Sequence, residues 1–224
     1  AIQQGTLGAD DDVRKYVPEL PDYGRPITIR HLVHHTSGLR DYFLNARIDP
    51  VLLKDPTRQW TTADSLRFVG KPYFKPGRGW HYSNTNYILL GLLIEKVTGR
   101  SLDAELRDWI FLPLGMTGTY LSYSEDETSR PHRTPPADFW MGDLPVISSG
   151  LDVSFDWAGG GVVTTATDLN RFLRGVQHAS VFRRSSTRDE MLACVPTPSS
   201  SGRRVGYGLG IRCVETSYGP MWGH

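Results

Sequence analysis

The chain has 224 residues, which is enough for one large domain or two small ones with a substantial apolar core. Its 25 Lys and Arg residues nearly balance 24 Asp and Glu residues, so nucleic acid is not an expected partner. The longest apolar run, residues 87–94, is much shorter than the ~20 residues that span a bilayer, so no transmembrane segment is expected. Two cysteines are too few for a disulfide framework and lack the partner spacing of a zinc site, although Cys194 and Cys213 could form one bridge.

The first predicted elements are short and are separated by turn residues. Residues 1–5 are typical of the last turn of a helix, with Gly5 in the capping position, so we expect that helix to begin before residue 1. Residues 10–21 predict an irregular connector that contains one helical turn. Thr28 is a good N-cap for a helix over residues 29–35, whose apolar side chains share one face.

The strongest predicted helix lies near the middle of the chain. A threonine at position 61 or 62 caps a preceding helix that ends near residue 70. Either Ser83 or Asn84 then caps a helix that ends at Gly99. Because residues 87–94 are apolar on every face, this helix is expected to be buried on all sides.

The second half of the chain mixes helices, a long loop and short strands. Residues 102–110 predict an amphipathic helix, and residues 122–150 predict a long loop of the kind that shapes a binding site. A threonine at 164 or 165 caps another amphipathic helix, which runs to Val176. Residues 207–211 and 214–222 predict two strands that form an antiparallel pair.

One candidate site is the segment Tyr82-Ser83-Asn84, at the start of the central helix. Alternate residues of an extended segment point the same way, so Tyr82 and Asn84 can face one cleft. A tyrosine acts as a base only where cations or dipoles stabilise its phenolate, and the helix N-terminus provides positive potential. The alternative is that Tyr82 packs on the core and that Asn84 only caps the helix.

Histidines supply the other candidates. His31 and His35 are four positions apart and could hold a metal together, but the Glu of a metalloprotease motif is missing. Burial or helix capping is the expected role of these two residues and of His34. Ser37 lies in a Thr-Ser-Gly turn, whose first role is to end a helix. His224 follows a glycine and either reaches a cleft or is exposed and inert.

Six stretches taken together resemble the class C β-lactamase-like serine hydrolases, which include D-alanyl-D-alanine carboxypeptidases and related esterases. In order, they are ITIRHLVHHTSGL at 27–39, PG at 76–77, YSNTNY at 82–87, PLGM at 113–116, GGVVTTA at 160–166 followed by DL at 168–169, and YGLG at 207–210. The likeness covers nearly the whole chain. It implies an α+β fold in which an antiparallel sheet flanked by helices faces a mainly helical lobe, with the active site between them.

The resemblance also assigns residues and lobes. It makes Tyr82 the proton-transfer residue and Asn84 a residue that orients the substrate, and it places the start of the third motif, His-x-Gly, at His224. We expect one domain over 1–224, with a helical lobe over roughly 27–158 and a sheet lobe built from 1–26 and 159–224. The closing strands and the C-terminal helix of the family lie outside these residues, so we expect an incomplete sheet lobe. Because sheet edges and part of the apolar core would then be open, we expect the isolated segment to be poorly stable.

The chain departs from the family pattern at the nucleophile. Such enzymes use a Ser-x-x-Lys motif, in which the lysine assists attack by the serine. None of the five lysines in this sequence has a serine three positions before it. The expectation is therefore that the chain is truncated at both ends and that the motif lies upstream of Ala1.

The resemblance implies a serine hydrolase that forms an acyl-enzyme with an amide, lactam or ester carbonyl of a small molecule or peptide. The His-type third motif favours an esterase or D-amino-acid peptidase over a true β-lactamase. No metal or organic cofactor is implied, the setting is periplasmic or secreted by resemblance alone, and the oligomeric state stays open. The alternatives are a penicillin-binding-like module that has lost its nucleophile, and a metal hydrolase built on His31 and His35.

Overall fold

The fold is mixed α+β, as the sequence predicts. The computed structural model describes residues 5–18, 20, 22–122, 136–178, 180–198 and 205–224. Within them, a 3₁₀ turn at Val13–Lys15 precedes the first helix, and a π-helical turn at Arg107–Phe111 extends the fifth. The α-helices in chain order are α1 Ile29–Val33, α2 Ile48–Lys54, α3 Thr62–Leu66, α4 Asn84–Thr98, α5 Leu102–Leu106, α6 Trp157–Gly160, α7 Ala166–Gln177 and α8 Ser185–Leu192.

The strands form three antiparallel groups. Their bounds are β1 Tyr120–Leu121, β2 Trp140–Met141, β3 Leu144–Pro145, β4 Val162–Val163, β5 Val195–Pro196, β6 Val205–Tyr207, β7 Arg212–Thr216 and β8 Gly219–Gly223. β1 pairs with β4, β2 pairs with β3 in a hairpin, and the remaining strands form a four-stranded sheet in the order β5-β6-β7-β8. The two-lobe division stays a prediction.

Helix α4 forms the centre of the packing. Leu89 and Leu93 lie in one apolar cluster with Leu32 of α1, and Ile88 lies in a second cluster with Phe155. Burial of one such side chain contributes about 1.5–3 kcal/mol. These contacts on different faces confirm that α4 is a core helix.

The ends of α4 are set by local signals. At its C-terminus Gly99 adopts φ 67°, which a residue with a side chain reaches only with strain, and its N–H donates to the Glu95 carbonyl. At its N-terminus Ser83 is the N-cap residue, but its side chain makes no capping hydrogen bond. The carboxylate of Asp41 instead accepts a hydrogen bond from the N–H of Asn84 at 3.1 Å. A residue distant in sequence therefore replaces the local cap that the sequence predicts.

Several predicted helices are confirmed with changed ends. Thr28 caps α1 through a capping box, but α1 ends at Val33 because His35 has a positive φ of 59°. Thr61 caps α3, which stops at Leu66. Thr165 caps α7. Gly5 has the expected positive φ, whereas residues 1–4 lie outside the described residues.

Two predictions about the second half of the chain are corrected. Residues 214–222 do not form one strand: β7 ends at Thr216, and a turn then leads into β8. The side chain of Thr216 stabilises this turn by donating to the Gly219 carbonyl at 2.7 Å. The segment 122–150 is not entirely a loop, because β2 and β3 lie within it, whereas residues 123–135 lie outside the described residues.

Helix α7 places a polar residue inward and apolar residues outward. Asp168 is 1% exposed because its carboxylate accepts hydrogen bonds from the Gly118 N–H at 2.7 Å and the Thr119 hydroxyl at 3.0 Å. Leu169 and Leu173 are each 47% exposed. The hydrogen bonds of Asp168 thus fix which face of the helix is buried.

The possible bridge between the two cysteines is present, since Cys194 and Cys213 are joined by a disulfide.

Candidate active site

The predicted pair Tyr82 and Asn84 lies at the N-terminal end of α4. Ser83 between them is extended and fully buried, so its two neighbours project to the opposite side. The Tyr82 hydroxyl donates to Asn84 Oδ1 at 3.2 Å. The structure therefore brings these two polar groups together, as the spacing predicts.

Asp41 holds the side chain of Asn84 in one orientation. Asp41 Oδ2 accepts from Asn84 Nδ2 at 2.9 Å, and the other oxygen of Asp41 accepts from the Phe43 N–H at 3.0 Å. Because the amide nitrogen of Asn84 faces a carboxylate, its amide oxygen faces Tyr82. Asp41 was not predicted as a site residue; its only sequence signal is its position two residues after the HTSGL stretch.

A second carboxyl group, that of Asp156, lies nearby at the N-cap position of α6. A Cβ placed on Gly159 would lie 3.4 Å from both Asn84 Cβ and Asp156 Oδ1, so these two side chains flank the same glycine. Burial, together with the negative charge of Asp41, raises the pKa of Asp156 to about 6. Asp156 also lines a cavity of about 1120 Å³, whose wall includes Tyr120 and Phe139. A space of this size accepts a small molecule or a short peptide.

The electrostatics around Tyr82 favour its protonated form. Burial raises the pKa of the Tyr82 phenol, and the carboxyl groups of Asp41 and Asp156 raise it further. The described surroundings thus make this phenol a hydrogen-bond donor. A phenolate at this position needs a cation beside it.

His35 lies behind Tyr82 and is completely buried. Its ring centroid is 4.4 Å from that of Tyr82 and 5.2 Å from that of Tyr87. Burial, with smaller contributions from other histidines, lowers the pKa of His35 to about 3. The ring is therefore neutral at physiological pH, and its polar contacts involve both ring nitrogens.

His224 reaches the same place from the four-stranded sheet. The strand register aligns Tyr207 with Arg212 and Arg212 with Gly223, so the next residue lies at the end of the sheet that contains Tyr207. The His224 ring centroid is 5.4 Å from that of Tyr82 and 5.9 Å from that of Tyr207. Burial and then the charge of Arg212 lower the pKa of His224. The three residues to which the resemblance assigns roles, Tyr82, Asn84 and His224, therefore lie close together.

The other candidates have structural partners. His31 Nδ1 accepts the Thr28 N–H at 3.2 Å in the capping box, and the Ser37 hydroxyl donates to Asn86 Oδ1 at 2.6 Å. His35 lies beyond the end of α1, so it does not share a helical face with His31. In the parts of the chain that the structure describes, no three metal-ligating residues cluster, and no helix has the length and apolarity to cross a membrane.

Comparison with known proteins places this geometry in a family. A family model described as Beta-lactamase matches residues 1–224. Penicillin-binding protein 4* of Bacillus subtilis (strain 168) is 39% identical over 121 residues, which are 52% of this chain and 26% of that protein. The D-aminopeptidase of Brucella ovis is 28% identical over 233 residues, covering 96% of this chain and 40% of that protein.

A solved structure extends the match to three dimensions. A D-stereospecific amidohydrolase from Streptomyces sp. is 30% identical, with a TM-score of 0.85 over 99% of this chain and 68% of that chain. The chain spans less than half the length of the two curated relatives above. The family model and the structural match each cover essentially all residues of this chain. The chain is thus a member of the β-lactamase family.

Proposed function

We propose that this chain forms most of the active site of a serine hydrolase that cleaves the amide bond of a D-amino-acid amide or peptide through an acyl-enzyme. The observation that carries the proposal is the convergence of Tyr82, Asn84 and His224 at the N-terminal end of α4. The names of the D-aminopeptidase and the D-stereospecific amidohydrolase support this substrate class over a lactam. An ester carbonyl would be attacked in the same way, so esters remain within the proposed range.

The reaction needs a nucleophile that the 224 residues do not supply as Ser-x-x-Lys. We propose that this motif comes from sequence upstream of Ala1 and that its lysine ammonium faces Tyr82. A cation there would lower the pKa of the phenol, opposing the effect of Asp41 and Asp156. Tyr82 could then accept a proton at neutral pH, which its described surroundings alone do not favour.

Each site residue then has a role in acyl transfer. The serine oxygen bonds to the carbonyl carbon while its proton passes to Tyr82, and the C–N bond breaks as Tyr82 returns the proton to the departing amine. Water next attacks the ester, releases the acid and restores the serine. Asn84, whose side chain is held by Asp41, forms a hydrogen bond with the substrate amide. His224 lies at the edge of the active site that faces the substrate carboxylate or carbonyl. The mechanism requires no metal or organic cofactor.

The setting proposed for the protein is periplasmic or extracellular. The disulfide between Cys194 and Cys213 supports an oxidising compartment, because cytosolic thiols are kept reduced. Fractionation of the native host with the soluble protein found only in the cytosol would contradict this proposal.

The test of the nucleophile is the gene sequence upstream of the codon for Ala1, followed by activity assays of the full gene product. If Ser-x-x-Lys is present, hydrolysis of D-alanine and L-alanine p-nitroanilides measures activity and stereochemistry, and fluorescent penicillin reports acylation. Tyr82→Phe is expected to lower kcat about 10²–10⁴-fold. Tyr218→Phe, at a tyrosine that is 94% exposed, is the matched control and should leave kcat unchanged.

The competing proposal is a binding module without a nucleophile. It predicts that the complete gene lacks Ser-x-x-Lys, that no acyl-enzyme forms with fluorescent penicillin, and that ligands still bind reversibly. If Tyr82→Phe hydrolyses the substrate at the wild-type rate, the protein is still an enzyme, but Tyr82 does not transfer the proton.

A further inference from the structure

His35 contacts three consecutive residues that lead into the active site. Its backbone carbonyl accepts the His81 N–H at 3.0 Å, its ring packs on Tyr82, and its Nδ1 accepts the Ser83 N–H at 3.2 Å. The segment that carries the Tyr82 phenol is thus fixed by one residue from a different part of the chain. The mechanism proposed above assigns no task to this residue.

The hydrogen bonds of the ring define its tautomer. Ser83 N–H and Asn86 Nδ2, at 3.0 Å, both point to Nδ1, and the Asn86 oxygen is already occupied by the Ser37 hydroxyl. Nδ1 must therefore carry the lone pair, and the proton lies on Nε2. Nε2 is 3.2 Å from the Tyr207 hydroxyl, to which it donates.

The same hydrogen bond links the Tyr82 segment to the sheet. The Tyr207 ring lies 4.9 Å from His35 and 5.9 Å from His224 between centroids. His35 therefore contacts both sides of the site, the loop before α4 and the four-stranded sheet.

The backbone of His35 is strained in a way that serves this contact. Its φ of 59° is the left-handed conformation, which is unfavourable for a residue with a Cβ. Such strain persists where surrounding structure holds it, and it is concentrated at functional sites. Here the turn ends α1 and directs both the carbonyl and the ring of His35 toward residues 81–83.

We propose that His35 is a positioning residue, which as a neutral ring protonated on Nε2 sets the position of Tyr82 and couples it through Tyr207 to His224. The proposal rests on the catalytic role proposed for Tyr82, but its geometric part can be tested without activity. If His35 is protonated on Nε2 but the full gene product has no hydrolase activity, the proposed function is wrong, whereas the proposal that His35 positions Tyr82 still stands.

The first measurement is the ¹⁵N NMR spectrum of the histidine side chains at pH 7, with His35 assigned by its loss in His35→Asn. We expect one protonated nitrogen, Nε2, and a ¹³C-labelled Tyr82 resonance that moves in Tyr207→Phe. A cationic His35, a proton on Nδ1, or a Tyr82 resonance unaffected by Tyr207→Phe would overturn the proposal. The Tyr82 comparison uses the wild-type protein and Tyr207→Phe, both of which retain His35.

The second measurement uses variants of the active full gene product. Asn tolerates the left-handed backbone, and its Oδ1 can still accept from Ser83, whereas it cannot reach Tyr207. His35→Asn should therefore lower kcat about 10- to 100-fold with little change in KM, because the phenol is displaced while the substrate site persists. His178→Asn, at an exposed histidine, is the control. If His35→Asn fails to fold, Tyr207→Phe carries the same test, and an unchanged kcat in the folded variant contradicts the proposal.

Discussion

Replacing Asp156 by Asn should make the protein more stable at neutral pH and leave its stability unchanged near pH 4. The folded-state pKa of Asp156 is about 6 because of burial and of the nearby Asp41, against an ordinary value of 3.8. Between these values the unfolded chain ionises while the folded protein retains the proton, so wild-type stability falls as pH rises. Each pKa unit corresponds to about 1.4 kcal/mol, so the full penalty above pH 6 is about 3 kcal/mol at most.

The assay is urea unfolding of the wild-type protein and Asp156→Asn between pH 4 and pH 8 at constant ionic strength. The difference in the free energy of unfolding should be near zero at pH 4, grow through pH 5 and 6, and level off above pH 7. Asp143→Asn, at an exposed turn position, is the control variant. A difference in the free energy of unfolding that does not depend on pH, or an Asp156→Asn variant that is less stable than the wild type at pH 7, would refute the conclusion that the folded protein disfavours the ionised form of Asp156.

Two further predictions concern stability. Asp168→Asn should cost about 2 kcal/mol in urea unfolding, because the buried carboxylate accepts from Gly118, Thr119 and Arg171. Asp189→Asn, at an exposed carboxylate that pairs with Arg188, should change stability by less than about 0.5 kcal/mol, and equal effects of the two substitutions would contradict this reasoning. Gly38→Ala should cost about 3 kcal/mol, since a Cβ would collide with the Phe74 carbonyl and φ is 80°. Gly99 has a similar φ but open space around it, so Gly99→Ala should cost only about 1 kcal/mol by thermal unfolding. A loss of stability in Gly99→Ala larger than that in Gly38→Ala would contradict the role given to the contact with the Phe74 carbonyl.

The sequence predicted the elements whose signals are local. Thr28, Thr61 and Thr165 cap helices because a side-chain oxygen and the nearby backbone N–H groups lie within one turn. Gly99 ends α4 because only glycine adopts its backbone conformation without strain. Such interactions involve neighbours in sequence, so a short window contains both partners.

The elements that the sequence analysis missed lack such signals. Helix α2 starts after Arg47, which makes no capping bond through its side chain, and α8 starts after Arg184, which likewise makes none. The turn between β7 and β8 depends on a side chain of one strand bonding to a backbone oxygen at the start of the next. Tertiary packing and strand pairing, rather than propensity, define these segments.

The candidate site shows the same division. Tyr82 and Asn84 were predicted because an extended segment places alternate residues on one side. Asp41 and Asp156 were not predicted as site residues, and His35 was considered only as a metal ligand or a buried residue, because all three act on Tyr82, Ser83 or Asn84 across more than 40 residues of sequence or through burial. The effect of a nearby charge on the pKa of a phenol depends on the distance between the groups and on the local dielectric. The amino-acid composition shows neither quantity.

By itself, the sequence determined the family resemblance, the core helix and its C-terminal end, and the identity of the three side chains that meet in the site. The tertiary structure decided that Asp41, rather than a neighbouring residue, caps the helix at Asn84, which tautomer His35 adopts, and that the surroundings of Tyr82 keep its phenol protonated. The physical reason is range. Capping, glycine conformation and apolar periodicity act within a few residues, whereas desolvation, charge repulsion and ring contacts depend on groups that only the folded chain brings together.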